Sequence, residues 1–278
     1  MTFPISLAQW SLHRTLFSKQ LDNLDFPAVA KQQFGIDAVE YVNQFFMDKA
    51  EDTKYLNELL KRCNDNGVRN HLIMCDHEGM LADNDAKKRT EALENHYKWV
   101  NAAKYLGCQM IRVNTYGNGS PDEIKSAAAD SLEQLSEYAE KEGIQIVVEN
   151  HGGITSNGAW LASLIKQVNK KNVGTLPDLG NFCLKYSDSG CEEEYDRYKG
   201  VKELMPYAKS ISAKTQEFDA KGNCVETDYK RMMQIIIDSG FRGYLGIEYG
   251  GSIPEAEGIR MTKELLIKEI EIVSRKGA

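Results

Sequence analysis

The sequence predicts a single (β/α)8 barrel, and two observations predict it. One unit recurs along the chain: an amphipathic helix closes at a glycine, a short apolar strand follows, and a polar loop comes next. No linker, low-complexity stretch or change of composition interrupts the series. An open doubly wound sheet usually carries a Gly-rich turn after its first strand. Here that place is held by Trp10-Ser11-Leu12-His13. The chain's 278 residues suit one barrel domain over 1–278.

The element read most closely is the fourth helix. Ser120 can cap it, Pro121 fits its first turn, and Glu123 completes a capping box at the positive end of the helix dipole. Leu132, Leu135 and Ala139 share one face as far as Glu142, and Gly143 supplies the left-handed residue that ends it. Ile144 to Val148 then reads as a buried parallel strand. The same template starts strands near Ile5, Ile36, Val68, Gln109, Ile144, Val173, Lys209 and Tyr244. It sets helices near 27–34, 51–66, 85–106, 121–142, 157–170, 197–208, 226–239 and 254–276.

Composition narrows the function. Hydrophobic residues make up 42%, ordinary for a globular chain, and no apolar run approaches the length of a membrane span. Met1-Thr2-Phe3-Pro4 lacks the basic and apolar segments of a signal peptide. Cys63, Cys75, Cys108, Cys183, Cys191 and Cys224 are scattered, which reads as reduced thiols in a cytoplasm. A net charge of -7, with no gathered basic surface, disfavours nucleic acid. A homo-oligomer is left open.

In a barrel of this kind the loops after the strands build the site. The polar residues there are Gln9, Trp10 and His13, then Glu40 and Asn43, then Asp76, His77 and Glu78. Arg112 and Asn114 follow, then Glu149, Asn150 and His151, then Asp178 and Asn181. Ser212, Lys214 and Gln216, and finally Glu248 and Tyr249, complete the series. Strand alternation turns Leu245, Ile247, Ile146, Val148, Ile211 and Ala213 toward the helices. It turns Glu248, Glu149, Ser212 and Lys214 into the barrel. Asp178 joins them after Pro177. Two carboxylates about 4 Å apart repel by roughly 4 kcal/mol at an effective dielectric near 20, and three such pairs would cost about 12. That is comparable to a domain's whole stability. Protonation, Lys214 or a divalent cation must offset it, and the cation serves all three carboxylates at once.

Other residues read as structural or weak. His71 lies near a strand start on the stability face, and His96 and Trp99 fall mid-helix as packing. Glu192-Glu193-Glu194 reads as a solvated loop. Gly250-Gly251-Ser252 offers backbone amides that could cradle a phosphate.

The segments Val147-Val148-Glu149-Asn150, Asp178-Leu179-Gly180-Asn181, Ser210-Ile211-Ser212-Ala213-Lys214 and Gly246-Ile247-Glu248 resemble the xylose isomerase-like TIM-barrel superfamily. That superfamily includes sugar isomerases, ketose 3-epimerases, hydroxypyruvate isomerase, inosose and 3-dehydroshikimate dehydratases and endonuclease IV. The resemblance implies a metal held by Glu149, Asp178 and Glu248. Ser212 replaces the family's seventh-strand His, and Asn181 its sixth-strand His. An oxygen-rich set favours Mn²⁺ or Mg²⁺ over Co²⁺ or Zn²⁺, with His151 within reach of the same mouth.

The function expected is a metal-dependent isomerase or epimerase acting on a sugar, sugar phosphate or polyol through an enediolate. Glu149, Glu248 and Lys214 are its candidate catalytic residues. Trp10, His13, His77, Asn114, His151 and Asn181 are candidates for binding the carbohydrate, Trp10 by stacking on a ring. A dehydratase on the same site, with Lys214 or His151 as the acid, is a second enzymatic reading. A non-catalytic carbohydrate-binding relative is the alternative outside catalysis. Endonuclease-like repair lacks the necessary His ligands.

Overall fold

The computed structural model describes residues 3–276; Met1, Thr2, Gly277 and Ala278, at the ends of the domain expected over 1–278, lie outside them. Its strands are β1 (Ile5–Ala8), β2 (Ala38–Val42), β3 (Arg69–Met74), β4 (Met110–Val113), β5 (Gln145–Glu149) and β6 (Val173–Leu176). A hairpin of β7 (Cys183–Ser187) and β8 (Gly190–Glu194) precedes β9 (Ile211–Thr215) and β10 (Leu245–Tyr249). Eight strands form one parallel sheet in the order β6-β5-β4-β3-β2-β1-β10-β9. Bridges at Thr175–Ala208 and Asp178–Ser212 join its two edges, which closes the barrel.

The helices are α1 (His13–Phe17), α2 (Phe26–Phe34), α3 (Thr53–Asn66), α4 (Ala86–Leu106), α5 (Pro121–Glu142) and α6 (Gly158–Val168). After the hairpin come α7 (Arg197–Leu204), α8 (Tyr229–Asp238) and α9 (Glu255–Lys276). The capping box at Ser120 and Glu123 is present, and α5 ends at Gly143 with φ 73°. Ile36, Val68 and Ile144, expected as first strand residues, serve the preceding caps instead. Their amides donate to Ala30, Cys63 and Ala139, so the ladder begins one or two residues later. Asp52 and Asp228, expected inside helices, act as their N-caps.

Two layers of apolar packing follow from strand alternation. Leu245, Ile247, Ile146, Val148, Ile211 and Ala213 join the large core between sheet and helices. Ala8, Val42, Leu72, Met74, Met110, Val147 and Leu176 fill the barrel itself. The floor is polar: His71 meets Ser210 Oγ at 3.0 Å and packs on Tyr244. Higher up, Ser6 Oγ donates to Glu40 Oε1 at 2.6 Å inside the barrel. Gly246 faces that carboxyl, and a Cβ there would lie 2.5 Å from Glu40 Oε1.

Two expectations are corrected. Glu192-Glu193-Glu194 is not a loop but the exposed strand β8, paired antiparallel with β7. The cysteines are not all thiols: Cys183 and Cys191 form a disulfide across that hairpin, and Cys63, Cys75, Cys108 and Cys224 are free and buried. The hairpin brings together two cysteines that the sequence leaves eight residues apart without a recognisable motif. No described helix is long and apolar enough to cross a membrane.

Candidate active site

The ends of β5, β6, β9 and β10 aim their side chains at one point. Glu149, Asp178 and Glu248 each offer a carboxylate oxygen there, all within 4.8 Å of one another and all buried. Each carboxylate is held differently. Glu149 Oε2 lies 2.9 Å from Arg112 Nε, and Asn181 Nδ2 donates to its other oxygen at 3.3 Å. Glu248 Oε1 accepts from Lys214 Nζ at 2.8 Å. Asp178 has only neutral donors: the amides of Gly180 (2.7 Å) and Asn181 (2.8 Å), and Ser212 Oγ at 2.8 Å.

Local backbone chemistry fixes these positions. Asn150, next to Glu149, accepts from the Asp178 amide at 2.8 Å and donates to the Asp178 carbonyl at 2.9 Å. Asn43 clamps Asp76 in the same way after β2, with 2.9 Å in both directions. Asparagine at a strand end thus ties down the next loop by copying backbone pairing.

A second cluster supports the first. Arg112 reaches Asp76 Oδ1 at 2.6 Å, so it bridges Asp76 and Glu149. Asn114 and Gln44 donate to Asp76 at 2.9 and 3.2 Å. If all four were ionised, the carboxylates of Asp76, Glu149, Asp178 and Glu248 would face two cations, Arg112 and Lys214, an excess of two negative charges.

The proton affinities follow from this arrangement. Burial would raise the Asp76 carboxyl, but Arg112 holds it well below the usual carboxylate range. Burial likewise opposes ionisation of Glu248, and Lys214 overcomes it, so that Glu248 is lowered. For Glu149 and Asp178 burial wins: Arg112 and Lys214 at Glu149, and Lys214 at Asp178, only partly offset it, and the neighbouring carboxylates add to it, so both are raised. Below them burial pushes Glu40 up to about 8. His151 is held down to about 4 by burial and by the nearby Arg112 and Lys214.

Of the three carboxylates, Glu248 borders a cavity of about 530 Å³, with Lys214 and Arg112 beside it, while Glu149 and Asp178 do not line it. Trp10, His77, Asn114 and His151 line it as well, so four of the six candidate substrate-binding residues meet there. Asn181 lies beneath, bonded to Glu149. His13 stacks on Trp10 at 4.7 Å and bonds its carbonyl at 2.7 Å, and it does not border the cavity. The Gly250-Gly251-Ser252 loop is no phosphate cradle. The amide and hydroxyl of Ser252 are bonded to Glu217 at 3.0 and 3.1 Å, and a carboxylate there repels an anion.

Sequence reasoning placed Asp76 and Arg112 at strand ends but gave neither a role. Their adjacency on β3 and β4 is the signal that could have paired them. It missed Tyr116, whose hydroxyl bonds the His151 ring and donates to its carbonyl at 2.8 Å. Burial pushes that phenol up to about 12. Tyr116 follows Asn114 by two residues, within the same loop.

The barrel has known counterparts. No curated protein matches the sequence. Among solved structures, the chain is similar to the IOLI protein with a bound zinc atom, at 15% identity and TM-score 0.76, over 98% of this chain and 99% of that one. It is similar to L-ribulose 3-epimerase at 14% identity and TM-score 0.76, over 99% and 97%. A xylose isomerase-like TIM barrel protein from Mycobacterium smegmatis, in complex with magnesium, aligns at 15% identity and TM-score 0.70, over 98% of each chain. At such identities these likenesses speak for the fold alone. The family model described as xylose isomerase-like TIM barrel matches residues 28–269, from α2 into α9. The chain belongs to the xylose isomerase-like TIM barrel family.

Proposed function

We propose that the protein is a metal-dependent isomerase or epimerase of a carbohydrate. The observation that carries this reading is the buried meeting of Glu149, Asp178 and Glu248, with two negative charges beyond what Arg112 and Lys214 offset. One divalent cation would balance that excess. The donor set is oxygen throughout, and Glu149 Oε2 lacks a well-directed hydrogen bond despite full burial. Such a set suits Mg²⁺ or Mn²⁺ better than the softer Co²⁺ or Zn²⁺. Two structures similar in fold hold zinc and magnesium, which is in keeping with a divalent ion here.

Bound there, the ion would polarise a substrate carbonyl. The chain's own groups handle the proton. Glu248, paired with Lys214, is suited to take it from the carbon beside the carbonyl, and Glu149, held by Arg112, to return one. Asp76 holds Arg112, and Arg112 in turn positions Glu149. Trp10 offers a ring face to the sugar, while Asn114, His77 and His151 supply polar edges.

The test is proton exchange. The Mg²⁺- or Mn²⁺-loaded protein is incubated in D₂O with ketoses, 3-keto sugars and inososes, and NMR follows deuterium entering beside the carbonyl. The reading expects exchange with at least one substrate and a loss of about 10³-fold or more in Glu248→Gln, the scale of a lost general base. Exchange accompanied by loss of water would identify a dehydratase. Binding without exchange across the panel would identify a non-catalytic relative.

A further inference from the structure

The aromatic wall at the barrel mouth extends beyond the carboxylate cavity. Trp10 borders that cavity, and its ring centre lies 6.5 Å from Phe45 and 6.1 Å from Phe17. Phe17 and Phe45 are 4.9 Å apart and line a second cavity of about 440 Å³. Gln44 borders both cavities, so the two are neighbours. Phe17 is 55% exposed, a costly placement for a benzyl group unless something covers it. The wall is held in place from behind, because His13 stacks on Trp10 and bonds its carbonyl, with Glu255 3.5 Å from the His13 ring. The same cavity is lined by Asp22, Asp48, Lys19 and Lys49, with Lys49 3.0 Å from Asp48. A carbohydrate ring needs this combination: an apolar face for its C–H side and charged groups for its hydroxyls. A purely apolar partner would be ill served by these four charged groups.

We propose that Phe17 and Phe45 form a second sugar subsite, and that the site takes a two-ring glycoside. Its reacting ring occupies the carboxylate cavity, and its second ring lies on the phenyl shelf. The inference rests on the reading that the first cavity binds a carbohydrate. It assigns a role to His13, as the residue that positions the wall rather than a contact of the reacting ring.

The test uses the Mg²⁺-loaded protein with glucose, fructose, maltose, cellobiose and sucrose as probes, read by saturation-transfer NMR and calorimetry. At least one disaccharide should bind about ten-fold more tightly than either monosaccharide, with saturation reaching both rings. In Phe17→Ala, and independently in Phe45→Ala, that ratio should fall to about two-fold, with transfer to the second ring lost. If monosaccharides bind but no disaccharide binds more tightly, or if the ratio survives both substitutions, the subsite is wrong and the carbohydrate reading stands. If none of the five sugars binds, the subsite is overturned, and the carbohydrate reading is decided by the exchange panel. Sedimentation that finds a dimer in the wild type and a monomer in Phe17→Ala would assign the shelf to a second copy of the chain and also overturn the subsite.

Discussion

Four carboxylates and two cations share the mouth of the barrel, so the effect of a substitution depends on which partner it strands. Glu248→Gln leaves Lys214 buried beside an amide, and breaking a buried pair from one side costs about 3 kcal/mol. Asp178→Asn strands no cation, because its partners are two amides and the Ser212 hydroxyl. Thermal unfolding in EDTA should therefore show a lower Tm for Glu248→Gln and an unchanged or higher Tm for Asp178→Asn. The opposite order would mean that repulsion does not govern the cluster. Ser212 donates to Asp178 Oδ2 at 2.8 Å, beside the candidate ligands. Ser212→His should bring an imidazole to that point and raise the preference for Co²⁺ over Mg²⁺, measured as a ratio of dissociation constants. At this scale the sequence was legible wherever strand alternation decides a side chain's direction, as at Glu149, Ser212, Lys214 and Glu248. It was illegible where partners come from different strands. The links from Asp76 through Arg112 to Glu149 join three residues far apart in sequence, and only the register of β3, β4 and β5 reveals them.

Element boundaries were legible because glycine caps and Asx caps mark them chemically. Gly143 ends α5 where expected, whereas Asp52 and Asp228, read as lying inside α3 and α8, are the caps that start those helices. The β7–β8 hairpin was not. Its strands have exposed polar residues on both faces, so no alternation distinguishes it from a loop. Its geometry matters to the site. A Cβ on Gly152, next to His151, would lie 3.2 Å from the Tyr186 hydroxyl on β7. Closing this short loop by the Cys183–Cys191 disulfide restricts the unfolded chain by about 2.5 kcal/mol in the loop-entropy picture. Cys191→Ser should thus raise amide exchange over 183–194 and around Gly152 while exchange in β1 to β6 stays slow. Faster exchange throughout the barrel would show that the hairpin contributes to global stability.

Taken whole, the molecule buries more acid than it neutralises, and its stability should report that through pH. Glu40, Glu149 and Asp178 are raised, so the metal-free fold holds protons that the unfolded chain has released. Stability then falls as pH rises through the raised range. His71 and His151, both held down to about 4, work in the opposite direction, but only below the ordinary imidazole value. Between pH 6.5 and 8 the histidine contribution fades and the raised acids dominate the slope. In EDTA the Tm should drop across that window, and Glu40→Gln, neutral at every pH, should remove about 2 kcal/mol of the loss. A flat wild-type profile would contradict the raised acids. The barrel class was legible from the repeating unit, since one unit repeated eight times has few ways to bury its strands. The charge excess was legible only in outline, because Arg112 had no assigned partner. The most direct test of the proposed metal centre is calorimetric titration of Mn²⁺ into the metal-free wild type, Glu149→Gln and Asp178→Asn. The account predicts one ion per chain in the wild type and binding weaker by ten-fold or more in each variant. Equal affinity in all three proteins would contradict it.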